Sequence, residues 1–435
     1  MKNSIPYLEG NRGRNAAVID AFFDRPAVSN RAEAVARRVL KAVRQRGDSA
    51  VARYAQEFDG VSLKPSRFRV TQKEIAGAVE QVDKAFVKAV RESDRRVARF
   101  SRAGMRKDWQ IPSPGGGTLG ERFTPIDRVG VYIPGGVSPL VSTAIMTVTL
   151  ARVAGVPEIV ACTPCGTDGS VNPHVLYALN LAGATEIYRL GGIQAIGALA
   201  YGTEQIPRVR KIVGPGNQYV TAAKRQVYGV VDLDLVAGPS EIAILADTSA
   251  NPRHIALDLL SQLEHGTGEE RALLVTTSRR LGRAVREQLV EEAAGLARGP
   301  WLMEVLPRNL LLVAVGSRPE ALALCNRFAP EHLEILARRP RQWLSGVTNA
   351  GAVFLGPHSP ESAGDFVAGP SHVLPTGGTA AAFSGLTVDA FRKRTSVISL
   401  KRKDLADVLP VIEAFGRVEA LDAHAKSARA RFEST

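Results

Sequence analysis

Histidine is scarce in this chain, and one of its seven histidines stands at a spacing that suits metal binding. In DLLSQLEHG, Gln262 and His265 are three residues apart, so on a helix both side chains lie on one face. We expect this helix to end at Gly266, because glycine is favoured just beyond a helix C-terminus. Two interpretations stay open. The pair could ligate a metal, although glutamine is an uncommon ligand, or His265 could simply stabilise the helix C-terminus.

A second histidine directly follows a glutamate in the segment APEHLEIL. Pro330 suits the first position of a helix, which predicts that Glu331 and His332 lie in the opening turn of that helix. There the helix dipole would keep the imidazole neutral, as a general base requires, and would stabilise the carboxylate. The alternative is a glutamate placed for charge complementarity beside a partly buried histidine that has no role in catalysis.

Two further acid and histidine pairs occur towards the C-terminus. Residues 356–378 are rich in glycine, proline and serine and contain Asp365 and His372, which predicts a loop of the kind that is usually functional. Asp365 could complete a metal site from this loop, or it could be an ordinary surface aspartate. Glu419 and His424 fall in a predicted C-terminal helix. Residues at i,i+5 spacing do not lie on one face of a helix, so this pair indicates a solvated surface.

Glycine-rich segments follow three apolar, strand-like runs. The sequences are RVGVYIPGG (128–136), LGGIQAIG (190–197) and IVGPGN (212–217), and backbone amides at such turns can hold a phosphate. None has the spacing of the common dinucleotide or P-loop motifs. Cys162 and Cys165 have the spacing of a redox motif, but they end a buried-looking strand, and we interpret them as structural.

The elements that position these residues fall into two regions. Residues 31–60 and 70–102 have helical apolar periodicity, with a break at Gly47 and a capping box formed by Thr71 and Glu74. From residue 127 onward, short apolar runs alternate with helix-like stretches, which indicates an α/β protein with parallel sheets. The later elements are expected as a helix at 252–265, strand 271–277, helix 279–294, strand 309–315, helix 319–327, strand 350–356 and a helical tail at 403–435.

Composition excludes several classes of protein. The chain has 435 residues, 45% hydrophobic and 23% charged, which is typical of a globular protein of about three domains and not of a disordered or collagen-like chain. Three cysteines cannot form a disulfide framework and favour a reducing compartment. With neither a signal-peptide pattern nor an apolar run long enough for a membrane span, we expect a cytoplasmic protein.

Taken together, these segments closely resemble the histidinol dehydrogenase family. The resemblance spans roughly residues 30–430, in the order of the family. It rests on RVGVYIPGG, GGIQAIGALAYGT, IVGPGNQYVTAAKRQV, AGPSE, DLLSQLEHG, APEHLEI, GAVFLG, SPESAGD and HVLPTGGTA.

The resemblance implies an enzyme that oxidises L-histidinol to L-histidine through the aldehyde, with two molecules of NAD and one zinc ion per subunit. It assigns acid and base chemistry to Glu331 and His332, and the dinucleotide to Tyr132, Gln194 and Asn217. The implied metal ligands are Gln262, His265, Asp365 and His424. The implied substrate contacts are Ser240, Gln262, His265, His332, Asp365, His372, Glu419 and His424.

The implied fold is α/β, with two incomplete Rossmann-like parallel-sheet units in a homodimer. A helical segment (1–105) would pack on a first, NAD-binding unit (106–240), and a second unit (241–378) would carry the metal and catalytic residues. The helical tail (379–435) would be exchanged between subunits and reach the partner's site, which would remove the difficulty with the spacing of Glu419 and His424.

Two other functions remain as alternatives. A paralogous NAD-dependent dehydrogenase acting on another small alcohol, such as a sulfopropanediol, would keep the same framework with a different substrate pocket. A nucleic-acid-binding protein would explain the net charge of +13, but no binding motif accompanies the charge and aromatic residues make up only 6% of the chain.

Overall fold

The computed structural model describes residues 5–25, 28–135 and 139–433. Gly136, which ends the RVGVYIPGG motif, lies outside the described residues. No described helix is both long enough and apolar enough to cross a membrane.

Helices dominate the first hundred residues, as predicted. They are α1 (Arg14–Phe23), α2 (Asn30–Asp59), α3 (Gln72–Gln81) and α4 (Lys84–Gly104). Gly47 kinks α2 as its sequence indicated, because its φ of 51° is open to glycine at no steric cost. The capping box is confirmed: the Glu74 amide donates to the Thr71 hydroxyl, and the Thr71 amide donates to the Glu74 carboxylate at 2.8 Å.

A five-stranded parallel sheet forms the first α/β unit. Its strands are β4 (Arg128–Tyr132), β5 (Glu158–Cys162), β6 (Glu186–Tyr188), β7 (Lys211–Val213) and β8 (Asp232–Leu233). They lie in the order β6-β5-β4-β7-β8, so the direction of winding reverses beside β4. The helices that cover the sheet are α5 (Val141–Ala154), α6 (Pro173–Ala182), α7 (Gly192–Tyr201) and α8 (Gln218–Val227).

A six-stranded parallel sheet forms the second unit, in the order β1-β11-β10-β9-β12-β13. Its strands are β1 (Tyr7–Glu9), β9 (Glu241–Ala246), β10 (Arg271–Thr276), β11 (Leu310–Ala314), β12 (His332–Leu336) and β13 (Ala352–Leu355). Its helices are α9 (Pro252–Leu263), α10 (Arg279–Gly295), α11 (Gly299–Asn309), α12 (Arg318–Phe328), α13 (Pro340–Leu344) and α14 (Glu361–Phe366). The alternation predicted for 252–356 is therefore present.

A third, antiparallel sheet was not predicted. It consists of β2 (Trp109–Pro112), β3 (Thr118–Pro125) and β14 (Arg392–Ser399), in the order β14-β3-β2. The C-terminal tail follows as α15 (Arg402–Val418) and α16 (Asp422–Arg429). Asp404 joins the tail to this sheet, because its carboxylate accepts hydrogen bonds from the Ser113 hydroxyl and from the amides of Gly115 and Gly117.

Candidate active site

His332 is the first residue of a central strand, and the predicted helix at this place is wrong. β12 pairs in parallel with β9 on one side and with β13 on the other. The sequence HLEIL has a period of two, with Leu333 and Ile335 fully buried on one face. This sheet pairing outweighs the helix-starting preference of Pro330, so no helix dipole acts on Glu331 or His332.

Burial, and not a helix dipole, keeps the imidazole of His332 neutral. His332 is only 3% exposed, and burial lowers its pKa to about 4, so the ring is neutral near pH 7. Its Nδ1 lies 3.1 Å from the carbonyl oxygen of Glu241. A carbonyl only accepts hydrogen bonds, so Nδ1 carries the proton and Nε2 has a free lone pair. This is the protonation state of a general base.

The carboxyl group of Glu331 is also buried. The prediction that its surroundings stabilise the negative charge is wrong. Burial raises the pKa of Glu331 well above its ordinary value, and the carboxylates of Glu241 and Asp365 raise it further. Its Oε2 accepts the amide of Glu241 at 2.8 Å and lies 3.6 Å from Nδ1 of His332. A raised pKa makes its carboxylate a stronger base.

Arg25 compensates the charge of Glu241 beneath this pair. Its guanidinium contacts both carboxylate oxygens of Glu241, donates to the carbonyl of Phe328 and lies over that residue's ring. Both side chains of the ion pair are buried. Because the carbonyl of Glu241 also accepts from His332, this ion pair supports the orientation of the imidazole.

Asp365 and Glu361 come from a single turn, α14, where the sequence predicted a loop. Glu334, on the same face of β12 as His332, accepts the backbone amide of Glu361 at 2.7 Å and so fixes the start of that turn. One turn later, Oδ1 of Asp365 lies 3.7 Å from Nε2 of His332, and Oε1 of Glu361 lies 3.9 Å from the same nitrogen. His332, Glu361 and Asp365 form a group that could hold a metal ion.

His372 links the second unit to the first. Its Nδ1 lies 3.0 Å from the carbonyl oxygen of Asp365, and its Nε2 lies 3.4 Å from the hydroxyl of Thr143 on α5. Burial opposes ionisation of Asp365, but the hydrogen bond and electrostatic interaction with His372 outweigh it and lower the pKa of Asp365. Asp365 is therefore an anion, as a metal ligand must be.

Gln262 and His265 lie side by side at the end of α9. Nε2 of Gln262 is 2.9 Å from Nδ1 of His265, so the spacing argument for this pair is confirmed in its geometry. Gln262 is fully buried, and its Oε1 has no hydrogen-bond partner in the described part of the chain. A buried amide oxygen without a partner is costly, and a bound cation would satisfy it.

The remaining predicted substrate residues lie in two places. Ser240 directly precedes β9, at the same amino edge of the sheet as His332. Glu419 and His424 are exposed. The prediction that they lie in one helix is wrong, because a turn at Ala420 (φ 55°) separates α15 from α16. His424 is not among the described residues that form the group around His332.

The three residues assigned to a dinucleotide meet at the carboxyl edge of the first sheet. Tyr132 ends β4, and its hydroxyl accepts the amide of Gly192 at 3.1 Å. Gln194 is fully buried on α7, where its amide donates to the carboxylate of Asp59. Asn217 caps α8 by accepting the amides of Tyr219 and Val220, at the start of the helix that follows β7.

Several residues of these sites were missed by sequence reasoning. Most of them are charged residues inside an otherwise apolar or glycine-rich segment, which is the signal that could have found them, but Asp59 lies in the polar segment RYAQEFDG and has no such signal. The missed residues are Asp59, Glu241, Glu334 and Glu361. Arg25 was also missed, because only its contact with Glu241, far away in the sequence, reveals its role.

The comparisons with known proteins agree with this fold. A family model described as histidinol dehydrogenase matches residues 24–432. Histidinol dehydrogenase of Heliobacterium mobile is 45% identical over 395 residues, covering 91% of this chain and 92% of the relative. The corresponding protein of Moorella thermoacetica is 45% identical over 401 residues, covering 91% and 93%. The crystal structure of histidinol dehydrogenase from Elizabethkingia anophelis has a TM-score of 0.93 and 34% identity, covering 99% of this chain and 98% of that one.

Fold and site thus define an oxidoreductase built on parallel α/β sheets. The chain belongs to the histidinol dehydrogenase family, which is the family that its sequence motifs resemble.

Replacing Arg25 tests the support beneath His332. Arg25→Met leaves the carboxylate of Glu241 buried without its counterion, and we expect a loss of about 3–5 kcal/mol in the free energy of unfolding. The double variant Arg25→Met/Glu241→Gln removes both charges and should regain most of that loss. Urea unfolding followed by circular dichroism measures both values. Equal losses in the single and double variants would contradict the proposed charge compensation.

Proposed function

We propose that the chain oxidises L-histidinol to L-histidine through the aldehyde, with NAD and zinc. The observation that carries the proposal is the buried, neutral His332, whose free Nε2 faces Asp365 in a chain that matches the family over residues 24–432. Histidinol oxidation is the reaction to which the family name refers, and it completes the biosynthesis of histidine. The cytoplasmic location expected from the sequence stays a prediction.

The donor atoms of Gln262, His265 and Asp365 support a zinc site. Carboxylate and imidazole are ordinary zinc ligands, and the unpartnered Oε1 of Gln262 would gain a partner. We prefer this set to the group that contains His332, because a metal on Nε2 would occupy the lone pair needed for proton transfer. His424 of a second copy would complete the ligands. When bound, zinc would orient the imidazole and amine of the substrate as a redox-inert Lewis acid.

The carboxyl edge of the first sheet supports the NAD site. Its strand order reverses beside β4, and open α/β sheets of the Rossmann type bind dinucleotides at such a switch point. Tyr132, Gln194 and Asn217 lie along this edge, and the loop that carries Asn217 is fixed by a buried ion pair. Lys224 donates to the carbonyl of Gly214 at 2.8 Å, while Asp234 accepts the amide of the same residue. NAD, when bound, accepts the hydride of each oxidation step.

Glu331 and His332 divide the proton transfers between them. In the first step Nε2 of His332 takes the proton of the alcohol while the hydride leaves the carbinol carbon. Glu331 would then take a proton from the water that adds to the aldehyde, and the resulting hydrate anion would release the second hydride and become the carboxylic acid. Ser240, His372 and Glu419 complete the substrate contacts, with His372 held in place by Thr143 and Asp365.

A second copy of the chain would bring Glu419 and His424 into the site. The tail and the antiparallel sheet expose large apolar side chains, including Ile398 at 70%, Phe415 at 61% and Val418 at 79%. Exposed apolar residues concentrated in one part of a protein mark an interaction surface. We propose that this surface packs on the partner in a homodimer and that the tails are exchanged.

The overall proposal is tested by measuring NADH formation with purified protein. L-histidinol should yield two NADH per molecule; a chelator should abolish the reaction, and added Zn²⁺ should restore it. A sulfopropanediol and a plain amino alcohol serve as competing substrates. Turnover of the sulfopropanediol without turnover of L-histidinol would replace the proposal by the paralogous dehydrogenase.

The division of labour is tested with Glu331→Gln. The amide cannot accept a proton from water, so oxidation of the aldehyde should fall by about 10²–10⁴-fold while oxidation of the alcohol is largely retained. Single-turnover kinetics with L-histidinol and with L-histidinaldehyde separate the two steps. Glu304→Gln is the control. Glu304 is an exposed residue on α11, and its substitution should change the rate of neither oxidation step. Equal loss in both steps would show that Glu331 does not have this separate role.

Exchange of the tails is tested by mixing two inactive variants, His332→Ala and His424→Ala. Each heterodimer would contain one site with both substitutions and one site with neither. After unfolding and refolding of an equal mixture, about a quarter of wild-type activity should return if subunits pair at random. Each variant refolded alone should stay inactive. No recovery from the mixture would mean that each site is built from a single chain.

A further inference from the structure

The side chain of Gln194 has a fixed orientation that the proposed function does not explain. Its Nε2 donates to Oδ2 of Asp59 at 2.9 Å. An ionised carboxylate only accepts hydrogen bonds, so the NH₂ end of the amide must face Asp59 and the oxygen must face away. That oxygen, Oε1, is buried and has no hydrogen-bond partner among the described residues.

The unpartnered oxygen lies at the carboxyl edge where the NAD site is proposed. Gly192 opens α7 in a left-handed conformation (φ 63°), and a Cβ placed there would lie 2.9 Å from Oε1 of Gln194. Glycine therefore leaves space beside the buried oxygen. The amide of the same glycine donates to Tyr132, which ties this turn to the end of β4.

Asp59 itself comes from outside the sheet, as the last residue of α2 before Gly60. In the described part of the chain, its carboxylate hydrogen-bonds only to Gln194 and belongs to no ion pair. The exposed ring of Phe58 precedes it. A carboxylate without a cationic partner attracts hydrogen-bond donors and repels phosphate groups.

We propose that Asp59 is a positioning residue that sets the cofactor preference of this site. It holds the amide of Gln194 so that Oε1 accepts a hydrogen bond from an N–H or O–H group of NAD, and its charge disfavours a dinucleotide that carries an additional phosphate there. The inference rests on the proposed NAD site. The donor is the 2′-hydroxyl of the adenine ribose, because that is the position at which NADP carries its additional phosphate.

The test is the variant Asp59→Asn in the full-length enzyme. Asparagine removes the charge and can also donate, so the amide of Gln194 is free to reverse. We expect the KM for NAD to rise about tenfold with kcat nearly unchanged, because the lost contact serves binding more than chemistry. The KM for NADP should fall. Gln194→Leu should raise the KM for NAD to a similar extent, and the double variant should show no further rise, because both changes remove the same contact.

Asp48→Asn is the matched control. Asp48 is a buried acid on the same helix, and its carboxylate accepts the amide of Gln205 instead of contacting the cofactor edge. This variant should lower the melting temperature and leave the KM values for both dinucleotides unchanged. If Asp59→Asn behaves in the same way, Asp59 has only a structural role and the inference is wrong.

Three NAD analogues identify the donor group. NADP lacks the free 2′-hydroxyl, nicotinamide hypoxanthine dinucleotide lacks the adenine amine, and 3-acetylpyridine adenine dinucleotide lacks the carboxamide amine. The analogue without the donor should bind the wild type more weakly than NAD does, and Asp59→Asn should not weaken its binding further. Equal effects of Asp59→Asn on NAD and on all three analogues would overturn the inference. A wild-type enzyme that does not saturate with NAD would instead overturn the proposed function.

Discussion

The candidate site depends on holding one neutral imidazole among several buried carboxyl groups. His332 starts a strand with partners on both sides, so its backbone position is fixed by the sheet. The carbonyl of Glu241 selects its tautomer, and the carboxyl groups of Glu361 and Asp365 approach its other nitrogen. Buried acids are costly unless they are paired or hydrogen-bonded. Arg25 pairs with Glu241, and backbone amides donate to the carboxyl groups of Glu331 and Glu334.

The two parallel sheets contribute opposite edges to the site. The proposed dinucleotide residues follow the usual rule for open α/β sheets, because they lie at the carboxyl ends of the strands. His332 and Ser240 lie at the amino edge of the second sheet. The contacts of His372 with Thr143 and of Ser371 with the carbonyl of Met146 bring these edges together. A hydride acceptor and a proton acceptor can therefore come from different units and still face one substrate.

Local sequence signals predicted most of the regular elements and part of the site. Capping residues, the break at Gly47 and the alternation of apolar runs identified the helices and the parallel strands. The prediction failed at Pro330, where a local helix preference lost to pairing with two neighbouring strands. It also missed the antiparallel sheet, because β3 and β14 are far apart in sequence and their polar, exposed residues give little periodic signal. Arg25 could not be found for the same reason: its partner Glu241 is 216 residues away.

The short strand β1 has a consequence for the way the chain folds. Tyr7 pairs with Leu312 at the edge of the second sheet, so this strand is synthesised long before its partner. At about 5–20 residues per second, the N-terminal segment waits on the order of 15–60 s before β11 is synthesised. The second sheet therefore cannot be completed during translation of the first unit, and the pairing of β1 with β11 closes a long loop that contains the whole of that unit.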